Sequence, residues 1–240
     1  MNLVRTFFCG AALLVCGAAP AGGFSVDPVH LELQAGAATT SLKVTNNADQ
    51  AELLQVTVLR WARQDGSDVY QTEPGAVVTP PMFRLAPRGG SQVVRIGFNH
   101  PPGDGIGRAW RVMVEEVPEN SPVAPVSTVN LRLRMSLPLV LQPSRPKHAL
   151  HWALWRGERS LRLSADNQGN VVERIDELPL SAIAGQPTYC AQAGPIYLFP
   201  GETQELTLPV HTDHPPSSAV KLLVQGTPPA SAAELVLRAQ

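Results

Sequence analysis

The chain has 240 residues, 44% of them hydrophobic and 16% charged, with 19 Lys and Arg against 20 Asp and Glu. That balance is too apolar and too weakly charged for a disordered chain, and a formal charge of −1 lacks the basic field of nucleic-acid-binding proteins. The 23 prolines and 19 glycines would interrupt long helices at every turn, which excludes a helical bundle.

Residues 1–21 read as a secretory signal peptide. Arg5 supplies the positive start, Thr6 to Ala18 the mostly apolar stretch, and Ala19-Pro20-Ala21 the small-x-small cleavage pattern. The apolar run falls short of the ~20 residues a spanning helix needs. Cleavage would remove Cys9 and Cys16, leaving Cys190 with no internal disulfide partner.

The remainder alternates with the period of strands. Val29, Leu31 and Leu33 interleave with His30 and Glu32; Leu42 and Val44 with Lys43 and Thr45, closed by the Asn46-Asn47 turn. Leu54/Val56/Val58 follow, then Val94/Ile96/Phe98 after Gly89-Gly90, then Trp110/Val112/Val114 with Arg111, Met113 and Glu115 on the opposite face. After a Ser/Pro loop (119–127) comes the longest run, Val129 to Leu141, apolar at every odd position. Pro143 and Pro146 stiffen a linker, beyond which Leu150/Trp152/Leu154, Leu161/Leu163, Leu206/Leu208/Val210, Val220–Val224 and Leu235/Leu237 resume the pattern. Short strands with turn signals between them indicate an all-β protein of two sandwiches, at 24–143 and 148–240. No internal repeat is evident.

Enzyme chemistry finds little footing. There is no Gly-x-Ser-x-Gly elbow, no phosphate-binding Gly-x-x-x-x-Gly-Lys and no His-Glu-x-x-His. Gly103, Gly105 and Gly107 follow two prolines and precede a strand, so they read as a loop tip rather than a nucleotide site. His211, Asp213 and His214 could begin a zinc site but lack further ligands, and Pro215-Pro216 puts them in a solvent loop. His148 and His151 read as polar residues at a strand edge, and Cys190 as a quiet thiol with no visible base. No catalytic residue, cofactor, metal or nucleotide is expected.

The run 129–141 admits two readings. It is either the core face of a sandwich strand or an exposed edge kept for pairing with another chain. Apolar edges are normally suppressed because they invite such pairing, so a protein that retained one would lend it. Main-chain hydrogen bonds and alternate side chains in pockets would then hold the partner.

Here the sequence resembles the periplasmic pilus-assembly chaperones of the chaperone–usher pathway. Ser25-Val26-Asp27-Pro28-Val29 is similar to that family's first strand, and Thr79-Pro80-Pro81-Met82-Phe83-Arg84-Leu85-Ala86-Pro87-Arg88-Gly89 to its Thr-Pro-Pro…Arg-Leu…Pro-Gly segment. Glu116-Val117-Pro118, Leu161-Arg162-Leu163 with Asn167, Gly169 and Asn170, and Tyr197-Leu198-Phe199-Pro200-Gly201 resemble further landmarks. Trp110-Arg111 and the segment Arg132 to Pro138 resemble the archaic or alternative branch. The resemblance implies two immunoglobulin-like sandwiches in a boomerang-like arrangement, in the periplasm. It also implies that Val129, Leu131, Leu133 and Met135 fill the open groove of a strand-deficient fimbrial subunit until an outer-membrane usher receives it, without nucleotide.

The chain departs from the family at the anchor for the subunit's C-terminal carboxylate. The usual Arg and Lys positions hold His30 and Pro138, and the usual interdomain Arg position holds Gln142. Arg111 and Arg134 are the candidate cations, because a guanidinium binds a carboxylate through two parallel hydrogen bonds; His30 is the third. The competing classes are an exported structural or adhesive module, and a metal enzyme built on His211 and His214.

Overall fold

The computed structural model describes residues 23–240, except 101, 104, 119–130, 157–159, 183–187, 191–194, 210–218, 227–230 and 239–240. No helix occurs among the described residues. The first strands in chain order are β1 (Phe24–Asp27), β2 (Leu31–Leu33), β3 (Thr39–Asn46), β4 (Glu52–Gln64) and β5 (Ser67–Thr72). They continue as β6 (Ala76–Thr79), β7 (Met82–Leu85), β8 (Ser91–Phe98), β9 (Arg108–Glu116) and β10 (Arg134–Leu141). One sheet runs β1-β3-β8-β6; the other runs β2-β10-β9-β4-β5, with β7 also on β4.

Alternation explains the sandwich. Leu42, Val44, Val94 and Ile96 of the first sheet meet Leu54, Val56, Val112, Val114, Leu137 and Leu139 of the second, all in one buried cluster. Each such side chain stabilises the fold by roughly 1.5–3 kcal/mol relative to exposure. The long central β4 also uses its other face. Trp61 of β4, Ala109 of β9 and Val140 of β10 stand on one rung across three adjacent strands. They form a platform that packs against Val172, Tyr197 and Phe199 further along the chain.

Strands β11 (Leu150–Arg156), β12 (Ser160–Asn167), β13 (Glu173–Glu177), β14 (Pro179–Ala182) and β15 (Thr188–Cys190) open the second sandwich. β16 (Ile196–Leu198), β17 (Thr203–Pro209), β18 (Ala219–Gly226) and β19 (Ser231–Arg238) complete it. Its strands run β15-β14-β18-β19-β11-β12-β17, with β13 joined to β16 and β18, and no sheet mixes these strands with β1–β10.

A repeat absent from the sequence reading appears here. Buried Asn46 ends β3, and buried Asn167 ends β12. Each accepts from the N–H two residues on (Ala48 at 2.7 Å, Gly169 at 3.0 Å) and donates to the carbonyl four residues on (Gln50 at 2.8 Å, Val171 at 2.9 Å). The shared corner satisfies backbone groups that burial would otherwise orphan. The two sandwiches are built on the same joint, although their sequences diverge around it.

One expectation changes, and another gains a partner. The thirteen-residue strand is shorter: β10 begins at Arg134, Leu131 to Leu133 lie outside strand geometry, and Val129 and Asn130 fall outside the described residues. A strand persists only where its backbone groups find partners, and beyond Arg134 the contact with β9 reduces to Glu116: its N–H donates to the Leu133 carbonyl at 3.2 Å and its Oε2 accepts from the Leu133 N–H at 3.1 Å. His148, exposed just before β11 as the sequence suggests, also meets buried Glu173 at 2.9 Å. Burial raises the Glu173 pKa and His148 opposes that shift.

Candidate functional site

The stretch 131–141 changes character along its length. Leu137, Leu139 and Leu141 are core, and Met135 packs at the edge of the same cluster. Leu131 is 90% exposed and Leu133 37%. Leu133 leans over the start of β1, where a Cβ on Gly23 (φ +131°) would stand 3.2 Å from its Cδ2.

Hydrogen-bond alternation fixes which backbone groups face outward. Leu133 turns its carbonyl to β9, whereas Gln142 donates to the Leu33 carbonyl at 3.3 Å on the other side. Neighbouring strand residues point their N–H and C=O groups oppositely, so Arg134 and Ser136 present theirs away from β9. β2 covers that side only from Leu139 to Leu141. Among the described residues, nothing pairs with β10 there between Arg134 and Pro138. Pro138 lacks an N–H and marks the end of the β2 pairing. A half-paired edge strand therefore continues into two exposed leucines.

The candidate cations occupy different rungs of the same outer face. Arg111 pairs with Pro138 and Leu59, one rung beyond the Trp61–Ala109–Val140 platform. Its guanidinium lies 3.7 Å from the Trp61 ring centroid and 5.8 Å from that of Tyr197. Its Nε is buried without an acceptor. Arg134 pairs with Glu115, two rungs further out, or ~13 Å along the strand. It is exposed and turned to Glu115 at 3.5 Å.

His30 precedes Leu31, which pairs with Leu139. Its Nδ1 lies 3.2 Å from the Tyr197 hydroxyl and its Nε2 3.5 Å from Glu32 Oε1. Burial, followed by the Arg174 charge, lowers its pKa, and Glu32 opposes them. Arg111 and His30 are thus gathered around Tyr197, and Arg134 stands apart.

Tyr197 was a landmark in the sequence but not a site residue there. Nothing local distinguishes it from a core tyrosine, because its partners Trp61, His30 and Arg111 come from three separate strands or loops. Arg63 reinforces the same contact, donating to the Tyr197 carbonyl at 3.1 Å and meeting Glu202 at 3.2 Å. A cavity of about 520 Å³, lined by Trp61, Arg63, Trp110, Ile106, Phe199 and Glu202, opens alongside it. His211, Asp213 and His214 lie outside the described residues, as does the Cys190 side chain.

These features define a two-sandwich β protein with one half-covered edge strand beside a cluster of aromatic and cationic side chains. The sequence model of the pili and flagellar-assembly chaperones, PapD N-terminal domain, matches residues 23–147. The chain belongs to that family. Its fold is similar to a chain of the CsuC–CsuE chaperone–tip adhesion subunit pre-assembly complex from archaic chaperone-usher Csu pili of Acinetobacter baumannii, at 17% identity over 90% of this chain and 99% of that one, TM-score 0.64. It is also similar to the Salmonella enterica SafA pilin–SafB chaperone complex (17% identity, 92% and 99% covered, TM-score 0.61). The Pseudomonas aeruginosa CupB2 chaperone is a third (18% identity, 89% and 100% covered, TM-score 0.59). No curated protein sequence matches the chain.

Proposed function

We propose that this protein is a periplasmic chaperone that captures fimbrial subunits lacking their last strand and hands them to an outer-membrane usher. Residues 1–21 direct export, 24–143 form the lending sandwich, and 148–240 form the second sandwich that walls the cleft. The observation that carries the reading is the free edge of β10 from Arg134 to Pro138, prolonged by exposed Leu131 and Leu133. A subunit strand laid there would find open backbone donors and acceptors. Val129, Leu131 and Leu133 would enter its groove, with Met135, already packed against this chain's own core, at the covered end of the set. Each backbone bond contributes only ~0.5–1.5 kcal/mol net, so the leucine anchors are needed for stable capture.

The subunit's terminal carboxylate goes to Arg111, whose guanidinium is held in place by Trp61 and still has an unpaired buried Nε. His30 and Arg134 are secondary: the first is biased towards its neutral form, and the second is already turned to Glu115. No nucleotide or cofactor takes part. The test is periplasmic co-expression with a small secreted β subunit encoded beside this chain. A soluble one-to-one complex, with the subunit degraded or aggregated when expressed alone, is the expected result. A subunit that is equally soluble alone and never copurifies would leave an exported structural module instead.

A further inference from the structure

The loop that the sequence presents as a glycine-rich tip is not free. Gly107 donates its N–H to the Asn170 carbonyl at 2.6 Å, and a Cβ on Gly107 would stand 2.7 Å from the Val172 nitrogen. Only glycine permits this approach of the β8–β9 loop to the β12–β13 turn. Asn170 then uses every polar group it has. Its Nδ2 donates to the carbonyls of Gly105 at 3.1 Å and Arg145 at 3.0 Å. Its Oδ1 accepts from the Lys147 N–H at 2.6 Å, and its own N–H donates to the Lys147 carbonyl at 3.0 Å. One side chain thereby ties together the first sandwich, the connector and the second sandwich.

We infer that Asn170 is a positioning residue that sets the angle between the two sandwiches, and through it the cleft where Arg111 meets a subunit. The inference rests on the proposed capture function for its consequence, but not for its geometry. Tyr197 and Phe199 reach Trp61 from the second sandwich, and Tyr197 also lies beside the Arg111 guanidinium, so any rotation of that sandwich shifts the aromatic side chains around Arg111. Other polar contacts between the sandwiches, Arg63 with Glu202 and the Tyr197 carbonyl and His30 with the Tyr197 hydroxyl, leave the connector untouched. Asn170 alone among these residues holds the connector and both sandwiches. An aspartate there would keep the acceptor for Lys147 but lose both side-chain donors, and would set a negative charge against two carbonyl oxygens.

The test places spin labels on exposed Lys43 of β3 and exposed Thr207 of β17 in a Cys190→Ser background, and measures the distance distribution without any subunit. The parent should give one narrow distribution. Asn170→Asp and, independently, Gly107→Ala should broaden it, with the far-UV spectrum unchanged. If only a fraction of molecules keeps the binding-competent angle, the apparent Kd for subunit rises by the inverse of that fraction. Loss of two neutral hydrogen bonds puts the effect on the order of tenfold. A distribution as narrow as the parent's in both variants overturns the inference. So does a broadened one with unchanged subunit affinity. A parent chain that shows the narrow distribution but binds no subunit refutes the capture function and leaves the positioning role standing.

Discussion

The two ends of the segment 131–141 carry the same sequence pattern and meet opposite fates. Leu137, Leu139 and Leu141 are sealed between sheets, while Leu131 stands almost wholly in water. Alternation therefore encodes which face a residue is on, not whether that face is covered. Cover comes from the neighbours: β2 reaches β10 only over Leu139 to Leu141, and Pro138 stops the pairing from extending. The contrast divides one segment into a part that holds this protein together and an exposed part that the proposed function assigns to another chain.

The largest effects should separate those parts. Leu139→Ala should lower the free energy of unfolding by about 2–5 kcal/mol, read by urea denaturation. Leu131→Ala should stay within about 0.5 kcal/mol of the parent. Leu131→Glu should leave the melting temperature unchanged yet weaken subunit capture on the order of 100-fold or more, because the carboxylate would enter an apolar groove unpaired. A large loss of stability in Leu131→Glu would return the whole segment to the core.

Much of this was legible in advance. The strand faces of β3, β8 and β9 follow directly from residue types, since Leu42/Val44, Val94/Ile96 and Val112/Val114 alternate with polar neighbours. The strand boundary at Arg134 was not legible, because Leu131 and Leu133 continue the pattern without a break. The cleft was legible only in pieces. Arg111 and His30 stood out as residues at unusual positions, but their meeting point at Tyr197 depends on how two sandwiches pack. The Asn46-Asn47 turn was legible, but the equivalence of the Asn46 and Asn167 corners was hidden for another reason. Each depends on one asparagine and on backbone groups, and backbone groups leave no mark in a sequence.

A middle-sized effect distinguishes the rungs of the outer face. Arg111→Ala should weaken subunit binding by about 2 kcal/mol or more if it holds a desolvated carboxylate. It should cost the free protein only about 1 kcal/mol, through the lost contact with Trp61. Arg134→Ala, exposed and two rungs away, should change either quantity by no more than about 1 kcal/mol. Isothermal titration with one purified subunit measures both variants. Equal losses from the two substitutions would mean that the carboxylate spans the rungs, and the anchor would have to be redrawn further along β9.

The smallest effect concerns His30, which lies across from Pro138 at the boundary between the covered and open parts of β10. Burial and the Arg174 charge lower its pKa beneath the ordinary value of 6.5, despite Glu32. The folded chain therefore holds the ring neutral at a pH where the unfolded chain already takes up a proton. The unfolded state binds more protons as pH falls below about 6.5, so this site contributes a loss of stability on acidification and none above neutrality. His30→Ala should flatten that part of the stability profile, seen as parallel urea midpoints from pH 8 to about 5.5. Subunit binding gives the complementary reading. A carboxylate on His30 would favour the protonated ring, and affinity would climb as pH falls; a carboxylate on Arg111 gives a flat profile, since guanidinium stays charged throughout. The flat profile is expected for the parent and for His30→Ala alike. An acid-strengthened affinity that disappears in His30→Ala would move the anchor from Arg111 to the histidine.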